Sequence, residues 1–409
     1  MDFFEDYFKH VGDTESPMIY HRWGALSTLS TMIGREVILP FGHSEIFLNQ
    51  YILLLGTPGA RKNAPISISR KLLQKAGYNR FASERTSKER FFADMVYKLD
   101  YDSADGIEDL ELLVLEAPSE IYISNGEFLD FIGQGNMDFL TALTTLWDNL
   151  PHYKHPKMNG KSIHIHKPTI NILGGATVKG LGMAIPHEAL GTGILSRLLL
   201  IYSEPTSTKI TFPDLIIDSS SDQVVETLMK LRRDCKGEIT RSKRATNILD
   251  KMYKQFPGMD DARFADYCSR RFTHLLKVVI LMALSEHRME ITEEDALKAN
   301  TILHSAERHM SSALGEFGKS RYSDVSNTII EALNKAHAPI SHGEIWKMVA
   351  KDLSDSRELG TIMKNLLTSD KAQVLTIGGK QGYMALHKEH KEWDKELLLE
   401  DYLTEKERN

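Results

Sequence analysis

Apolar positions along the chain follow two rhythms. Ile19, Trp23, Leu26, Leu29 and Ile33 recur at steps of three and four, the spacing of one helical face, and predict helix through most of residues 1–34, with Gly34 as its end. Tyr51–Leu55 is instead an unbroken apolar run, as are Ile121–Ile123, Thr169–Leu173 (around Asn171) and Leu198–Tyr202. Short runs of this kind predict strands covered on both faces. Helical patterns lie between them: 65–75 with Pro65 in the first turn, the charged stretch 81–118, and 128–150 around Gly133-Gln134-Gly135. Strands alternating with helices predict an α/β fold with a largely parallel sheet. From 219 to 317 only helical patterns remain, one of them starting at Thr292 with acids in its first turn. Residues 322–387 read as a small separate domain: helices at 323–336, 341–351 and 354–368, then two short strands around the turn Gly378-Gly379. Three helices and a hairpin make the winged-helix pattern. A charged amphipathic tail, 388–409, ends the sequence.

A chain of 409 residues is too long for one ordinary core, which agrees with this division. The net charge of −6 gives no global positive field, so any nucleic-acid contact has to be local. Cys235 and Cys268 lie in no CxxC or CxxH spacing, which argues against zinc, and sparse cysteine suits a reducing cytoplasm. The N-terminus is acidic and aromatic, unlike a signal peptide. The longest apolar runs fall far short of the roughly 20 residues of a membrane span. The expectation is a cytoplasmic protein (the host's cytoplasm, were the chain phage-encoded) without a membrane.

The sharpest chemical motif is Gly56-Thr57-Pro58-Gly59-Ala60-Arg61-Lys62-Asn63, set between a buried strand and a helix. Glycines let backbone N–H groups curl around phosphate oxygens, the helix offers its positive end, and Lys62 supplies a point charge to β- and γ-phosphates. Two positions depart from GxxxxGK[ST]. Arg61 stands where the second glycine is usual, and Asn63 where a hydroxyl would hold magnesium. An Asn oxygen is a weak, neutral Mg2+ ligand by comparison.

Four further stretches accompany this loop in order: Tyr20-His21-Arg22-Trp23, Ile123-Ser124-Asn125-Gly126-Glu127-Phe128, Asn171-Ile172-Leu173-Gly174-Gly175-Ala176-Thr177, and Gly193-Ile194-Leu195-Ser196-Arg197-Leu198-Leu199. Together they resemble the helicase-like P-loop ATPase domain of phage and mobile-element primase-helicases and replication proteins, of AAA+ type, over residues 15–310. The resemblance implies ATP and Mg2+ as cofactors and a homo-oligomeric ring such as a hexamer. It divides the chain into an N-terminal helical segment (1–45), a P-loop ATPase core (46–218), a helical lid (219–317), the winged-helix domain (322–387) and the tail (388–409). It makes Glu127 the water-activating glutamate, Thr177 or Asn171 the polar sensor, Arg197 the finger completing a neighbour's site, and Arg271 a sensor from the lid. Gly126 stands where an aspartate usually precedes that glutamate, a second departure around magnesium. The function implied is an ATP-driven DNA helicase or translocase of phage or mobile-element replication. The two departures raise an alternative: a weakly hydrolysing or non-hydrolysing helicase loader or initiation scaffold, in contact with other replication proteins.

Candidate DNA contacts, for a single-stranded track above all, are Lys154, Lys157 and Lys161 in the His-rich stretch 151–167, which reads as a solvated loop or as a DNA-contacting hairpin. In the C-terminal domain Arg357 and Lys364 lie on the third helix and Lys380 in the wing, for DNA or for a protein partner. The tail's stripe of Trp393, Leu397, Leu398, Leu399, Tyr402 and Leu403 suits docking on a neighbouring subunit or on its own domain.

Overall fold

The computed structural model describes residues 2–96, 117–155, 162–186, 189, 192–211, 218–315, 323–336, 338–353, 355–368, 371–377, 380–386 and 394–403. The chain divides into two compact units, Met1–Gly315 with Trp393–Asn409, and Glu316–Glu392.

The first unit is mixed α/β. Two helices, α1 (Phe3–Val11) and α2 (Met18–Ile33), replace the single helical stretch expected at the N-terminus. Gly12, at φ +57°, ends α1, and Pro17 precedes α2. A hairpin that the hydrophobic pattern does not announce, β1 (Val37–Phe41) and β2 (Ser44–Ile46), turns at Gly42. The central sheet follows: β3 (Tyr51–Leu55), β4 (Glu120–Asn125), then β7 (Thr169–Ala176) and β8 (Leu198–Tyr202), with the outlying hairpin β5 (His152–His155) and β6 (Ile163–His166) between. The four central strands are parallel in the order β4-β7-β3-β8. All five residues of β3 and all eight of β7 are buried, as unbroken apolar runs require. A parallel bridge between Phe81 and Tyr122 adds a single-residue fifth position beyond β4.

Helices cover this sheet. They are α3 (Asn63–Lys75), α4 (Lys88–Met95), α5 (Phe128–Ile132), α6 (Met137–Leu146) and α7 (Val178–Ala184). The interruption between α5 and α6 falls on Gly133-Gln134-Gly135, and Asn136 caps α6 through the Phe139 N–H. The region from 219 is not purely helical. Besides α8 (Asp218–Asp234), α9 (Lys243–Gln255), α10 (Ala265–Ser285) and α11 (Glu293–Leu314), it holds β9 (Gly237–Glu238), β10 (Thr240–Arg241) and β11 (Glu290–Ile291). β9 pairs in parallel with β1, and β10 with β11. Two-residue strands carry no periodicity, so pattern alone misses them. At the start of α11 a complete capping box joins Thr292 and Asp295.

Residues 394–403 return to this same unit. Leu397 and Leu403 are buried, Leu399 N–H donates to Thr301 Oγ1 (2.6 Å), and Arg22 donates to the Tyr402 carbonyl (2.9 Å). The tail's apolar stripe thus covers α2 and α11 of its own chain; Trp393 lies outside the described residues.

The second unit contains α12 (Ser323–Lys335), α13 (His342–Val349), α14 (Ser356–Thr368) and the antiparallel pair β12 (Ala372–Ile377) and β13 (Lys380–Ala385). Ile340, between the first two helices, bridges Tyr383 and adds a third strand position. Val325, Ile329, Leu333, Ile345, Leu359, Ile362, Met363 and Leu366 form its core. Among the described residues no helix is long and apolar enough to cross a membrane.

Candidate functional site

β3 is flanked by β7 on one side and β8 on the other, so connections leave it in both directions. The carboxyl end of such a strand is a crevice where ligands bind in open α/β sheets. The loop 56–63 occupies this point. Parallel register brings Leu55 level with Ala176 and with Tyr202, so Gly56, Thr177 and Ser203 meet at one edge.

The loop is held from behind. The buried Tyr20 hydroxyl lies 2.5 Å from the Leu55 carbonyl and 2.9 Å from that of Ser203, its proton shared between them, tying the tips of β3 and β8 together. This accounts for the tyrosine of the Tyr20–Trp23 stretch; His21, Arg22 and Trp23 are buried behind it. Within the loop Gly59 sits at φ +89°. Arg61 adopts φ +56°, the left-handed region where glycine is cheapest. Glu15 anchors it through an ion pair of 2.6 Å and also accepts the Ile210 N–H at 2.9 Å. Those bonds hold the Glu15 carboxyl below its ordinary pKa, the Ile210 N–H having the larger effect.

Lys62 is buried, and its ammonium donates to the carbonyls of Gly56 (3.0 Å) and Thr57 (2.9 Å). Burial lowers its pKa, while the Glu127 charge acts the other way. α3 begins at the next residue, so the positive end of its dipole lies beside this cation; in its first turn the Ala64 N–H bonds the Arg61 carbonyl and Pro65 has none. Lysine, helix dipole and loop together concentrate positive charge at this point, which is suited to an anion.

Glu127 follows β4 and is exposed. It occupies the N-cap position of α5 without making a side-chain cap, so its carboxylate is not spent on the helix. Asn125 sets the turn that presents it, accepting the Glu127 N–H at 2.9 Å and donating to the Glu84 carbonyl at 2.7 Å. Thr177 caps α7 by accepting the Gly180 N–H at 3.0 Å, which leaves its hydroxyl proton to donate. Asn171 is elsewhere. It lies at the opposite end of β7, accepting from Ser30 and from the Gln50 N–H, and serves the sheet.

Asn63 and Gly126 face each other. A Cβ on Gly126 would stand 2.6 Å from Asn63 Oδ1, and one on Gly175 would stand 2.5 Å from the Gly126 carbonyl oxygen. The tips of β4 and β7 therefore close up, and the Asn63 carboxamide fills the place of a side chain at 126. Mg2+ favours anionic or hydroxyl oxygens in a tight octahedron. A neutral carboxamide packed on a glycine does not fit that requirement, and among the described residues no group of three His, Cys, Asp or Glu is placed to hold a metal.

Two clefts lie beside the loop. One cleft of about 300 Å³ runs from Gly59 and Arg61 to Pro205 and Thr206. A second, of about 460 Å³, shares Pro205 and Thr206 and continues past Pro17, Ile19 and Tyr202 to Ser305 and His309. The buried Ser305 hydroxyl, in the wall of this cleft, has no hydrogen-bond partner among the described residues.

The remaining candidates lie away from the loop. Arg197 precedes β8, at the other end of the sheet. Buried, it binds the Gly193 carbonyl (3.0 Å) and Asp148 (2.8 Å). Arg270, Lys277 and Arg197 all surround the Trp147 ring at 4.2–5.6 Å. Arg271 is not a free sensor: it is buried in an ion pair with Glu307 at 2.6 Å. Lys154 is exposed on the hairpin opposite His164, and His152 and His166 touch at 3.2 Å. Lys157 and Lys161 lie outside the described residues. In the second unit Arg357 and Lys364 are exposed on α14, seven residues and about two turns apart, and Lys380 opens β13. The sequence matches no protein-family model and none of the curated proteins.

Proposed function

We propose that the first unit is a P-loop nucleotide-binding domain of AAA+ type that takes ATP. The observation that carries this reading is the buried Lys62 ammonium, held on the Gly56 and Thr57 carbonyls at the start of α3. Its hydrogen bonds go to neutral carbonyls and the Glu127 carboxylate acts on it only as a nearby charge, so a polyphosphate would supply a direct anionic partner. The two clefts beside the loop, about 300 and 460 Å³ with Pro205 and Thr206 in both walls, offer room for a nucleoside. The strand order supports the same reading, since β7 separates the loop strand from the Glu127 strand and puts Thr177 between them.

In hydrolysis Glu127 would accept a proton from the attacking water, Thr177 would donate to the γ-phosphate or orient that water, and Lys62 would offset charge growing on the β–γ bridge. The protein would act on DNA. Supporting this are the hairpin carrying Lys154, and the second unit, whose three helices, hairpin and Ile340 bridge follow a winged helix with Arg357 and Lys364 exposed on its third helix. An oligomeric helicase or translocase of phage or mobile-element replication is the function these features support best. The packing of Asn63 on Gly126 favours a second reading: a nucleotide-gated loader or scaffold with slow turnover.

The test is ATP turnover by the full chain with and without single-stranded DNA, beside Lys62→Ala and Glu127→Gln. DNA-stimulated turnover lost in both variants supports the motor. ATP binding with assembly but no turnover supports the scaffold. Absence of ATP binding by the unaltered chain overturns both.

A further inference from the structure

Two positions that would ordinarily position a divalent cation are altered together, and they touch. Asn63 follows the loop lysine and Gly126 precedes Glu127. A side chain at 126 would begin 2.6 Å from Asn63 Oδ1, so the carboxamide and a carboxylate at 126 exclude each other as placed. Position 175 must also lack a side chain, because a Cβ there would stand 2.5 Å from the Gly126 carbonyl oxygen. The two positions therefore depend on each other: the glycine at 126 leaves the space that the Asn63 carboxamide fills.

The exchange changes what the site offers a phosphate. A magnesium ion would bring two positive charges and order the β- and γ-oxygens. An Asn side chain brings an NH2 donor and a carbonyl acceptor, and a half-turn of its last bond presents either. Asn63 is exposed at the head of α3, next to Lys62, where the helix already favours anions. Glu127 is the acidic side chain at this edge, exposed after β4, and a lone carboxylate is a poor cage for a cation that keeps most of its waters. Donation from Asn63 to a phosphate oxygen needs no ion.

Resting on the nucleotide reading above, we propose that this site binds its nucleotide without a divalent cation, and that the Asn63 carboxamide donates directly to a β- or γ-phosphate oxygen in the cation's place.

The experiment is calorimetric titration of the full chain with a non-hydrolysable ATP analogue, once in magnesium and once in EDTA. Affinities equal within about threefold support the proposal. A fall of roughly tenfold or more in EDTA overturns it while leaving the nucleotide site intact. No binding in either buffer overturns the nucleotide reading itself. Asn63→Ala should weaken binding roughly tenfold in both buffers, the worth of one hydrogen bond to a charged group. Unchanged affinity in that variant overturns the donor role. Asn63→Asp, of the same size, should make binding depend on magnesium, since a carboxylate repels bare phosphate and holds the ion. Circular dichroism on both variants confirms that a loss of affinity is not a loss of fold.

Discussion

Glu15 holds Arg61. Their 2.6 Å ion pair, with the Ile210 N–H on the other carboxylate oxygen, pins a left-handed arginine in the loop where a glycine would be at ease. Left-handed backbone costs a non-glycine residue roughly 1–2 kcal/mol, and an ion pair exposed on the arginine side returns about 0–1 kcal/mol. Glycine at the same place would shed the strain but lose the pair and add chain entropy to the unfolded state. Arg61→Gly should accordingly change stability by no more than about 1 kcal/mol by urea denaturation. A loss well beyond that would mean the Glu15 bridge ties down far more of the loop than its geometry indicates.

Two histidines are buried so deeply that they stay neutral. Burial lowers His21 to about 4 and His274 to about 3, against an ordinary value of 6.5. His274 donates from Nε2 to the Ser196 carbonyl at 2.9 Å, and His21 sits against Thr14. With the folded pKa below the unfolded one, the unfolded chain takes up the proton first. Stability is therefore full above pH 6.5 and falls as pH drops toward 4 and 3. Each group should contribute a loss of about 1 kcal/mol between pH 7.5 and 5.5. His274→Gln keeps a donor near Ser196 and cannot titrate. The stability difference between those two pH values should shrink by about that amount in this variant. An unchanged difference would show that His274 takes up its proton as readily in the folded protein as in the unfolded chain.

Legibility in the sequence followed burial and period. Tyr51–Leu55 and Leu198–Tyr202 were readable as strands because every residue but the half-buried Tyr202 is covered, and the loop 56–63 was readable because its spacing sits between a strand and a helix. The hairpin Val37–Ile46 was not, since its residues alternate too briefly, and the two-residue strands near 237 and 290 have no period at all. Site residues divided along the same line. Glu127 and Thr177 stand at strand tips, which sequence order locates. Arg271 and Asn171 look identical to sensors in sequence. Only the fold shows Glu307 beside the one, and Ser30 and Gln50 beside the other. Contacts among residues far apart in the chain, such as Glu15 with Arg61 and Arg22 with Tyr402, carry no local signature.

Arg197 tests the division between structural and catalytic cations. Two of its guanidinium nitrogens bind Asp148 and Gly193 inside its own chain, and Nε is buried beside them. Removing one partner of a buried pair costs about 3–5 kcal/mol, less here because Asp148 is half-exposed and keeps Arg270 at 3.7 Å. Arg197→Ala should destabilise the first unit by about 2–3 kcal/mol with or without nucleotide. A cost under about 0.5 kcal/mol by denaturation would free the arginine for work on a neighbouring copy.

The tail is the part of the first unit that should open most easily. It is a strap of two short 3₁₀ turns, Lys395–Leu397 and Glu400–Tyr402, held by few contacts. Leu397 and Leu403 fill pockets, Arg22 lies 4.9 Å from the Tyr402 ring centre and binds its carbonyl, and Lys251 pairs with Asp394 at 3.1 Å. Burial of one leucine is worth roughly 2 kcal/mol, a large share of what offsets the ordering of so short a segment. Leu397→Ala should therefore undock the strap locally rather than unfold the unit. Hydrogen exchange reads this directly: the Leu399 amide, bonded to Thr301, should lose protection by about an order of magnitude or more while the amides of β3 keep theirs. Arg22→Ala should do the same from the other side of the contact. Loss of protection in β3 as well would make the strap part of the cooperative core.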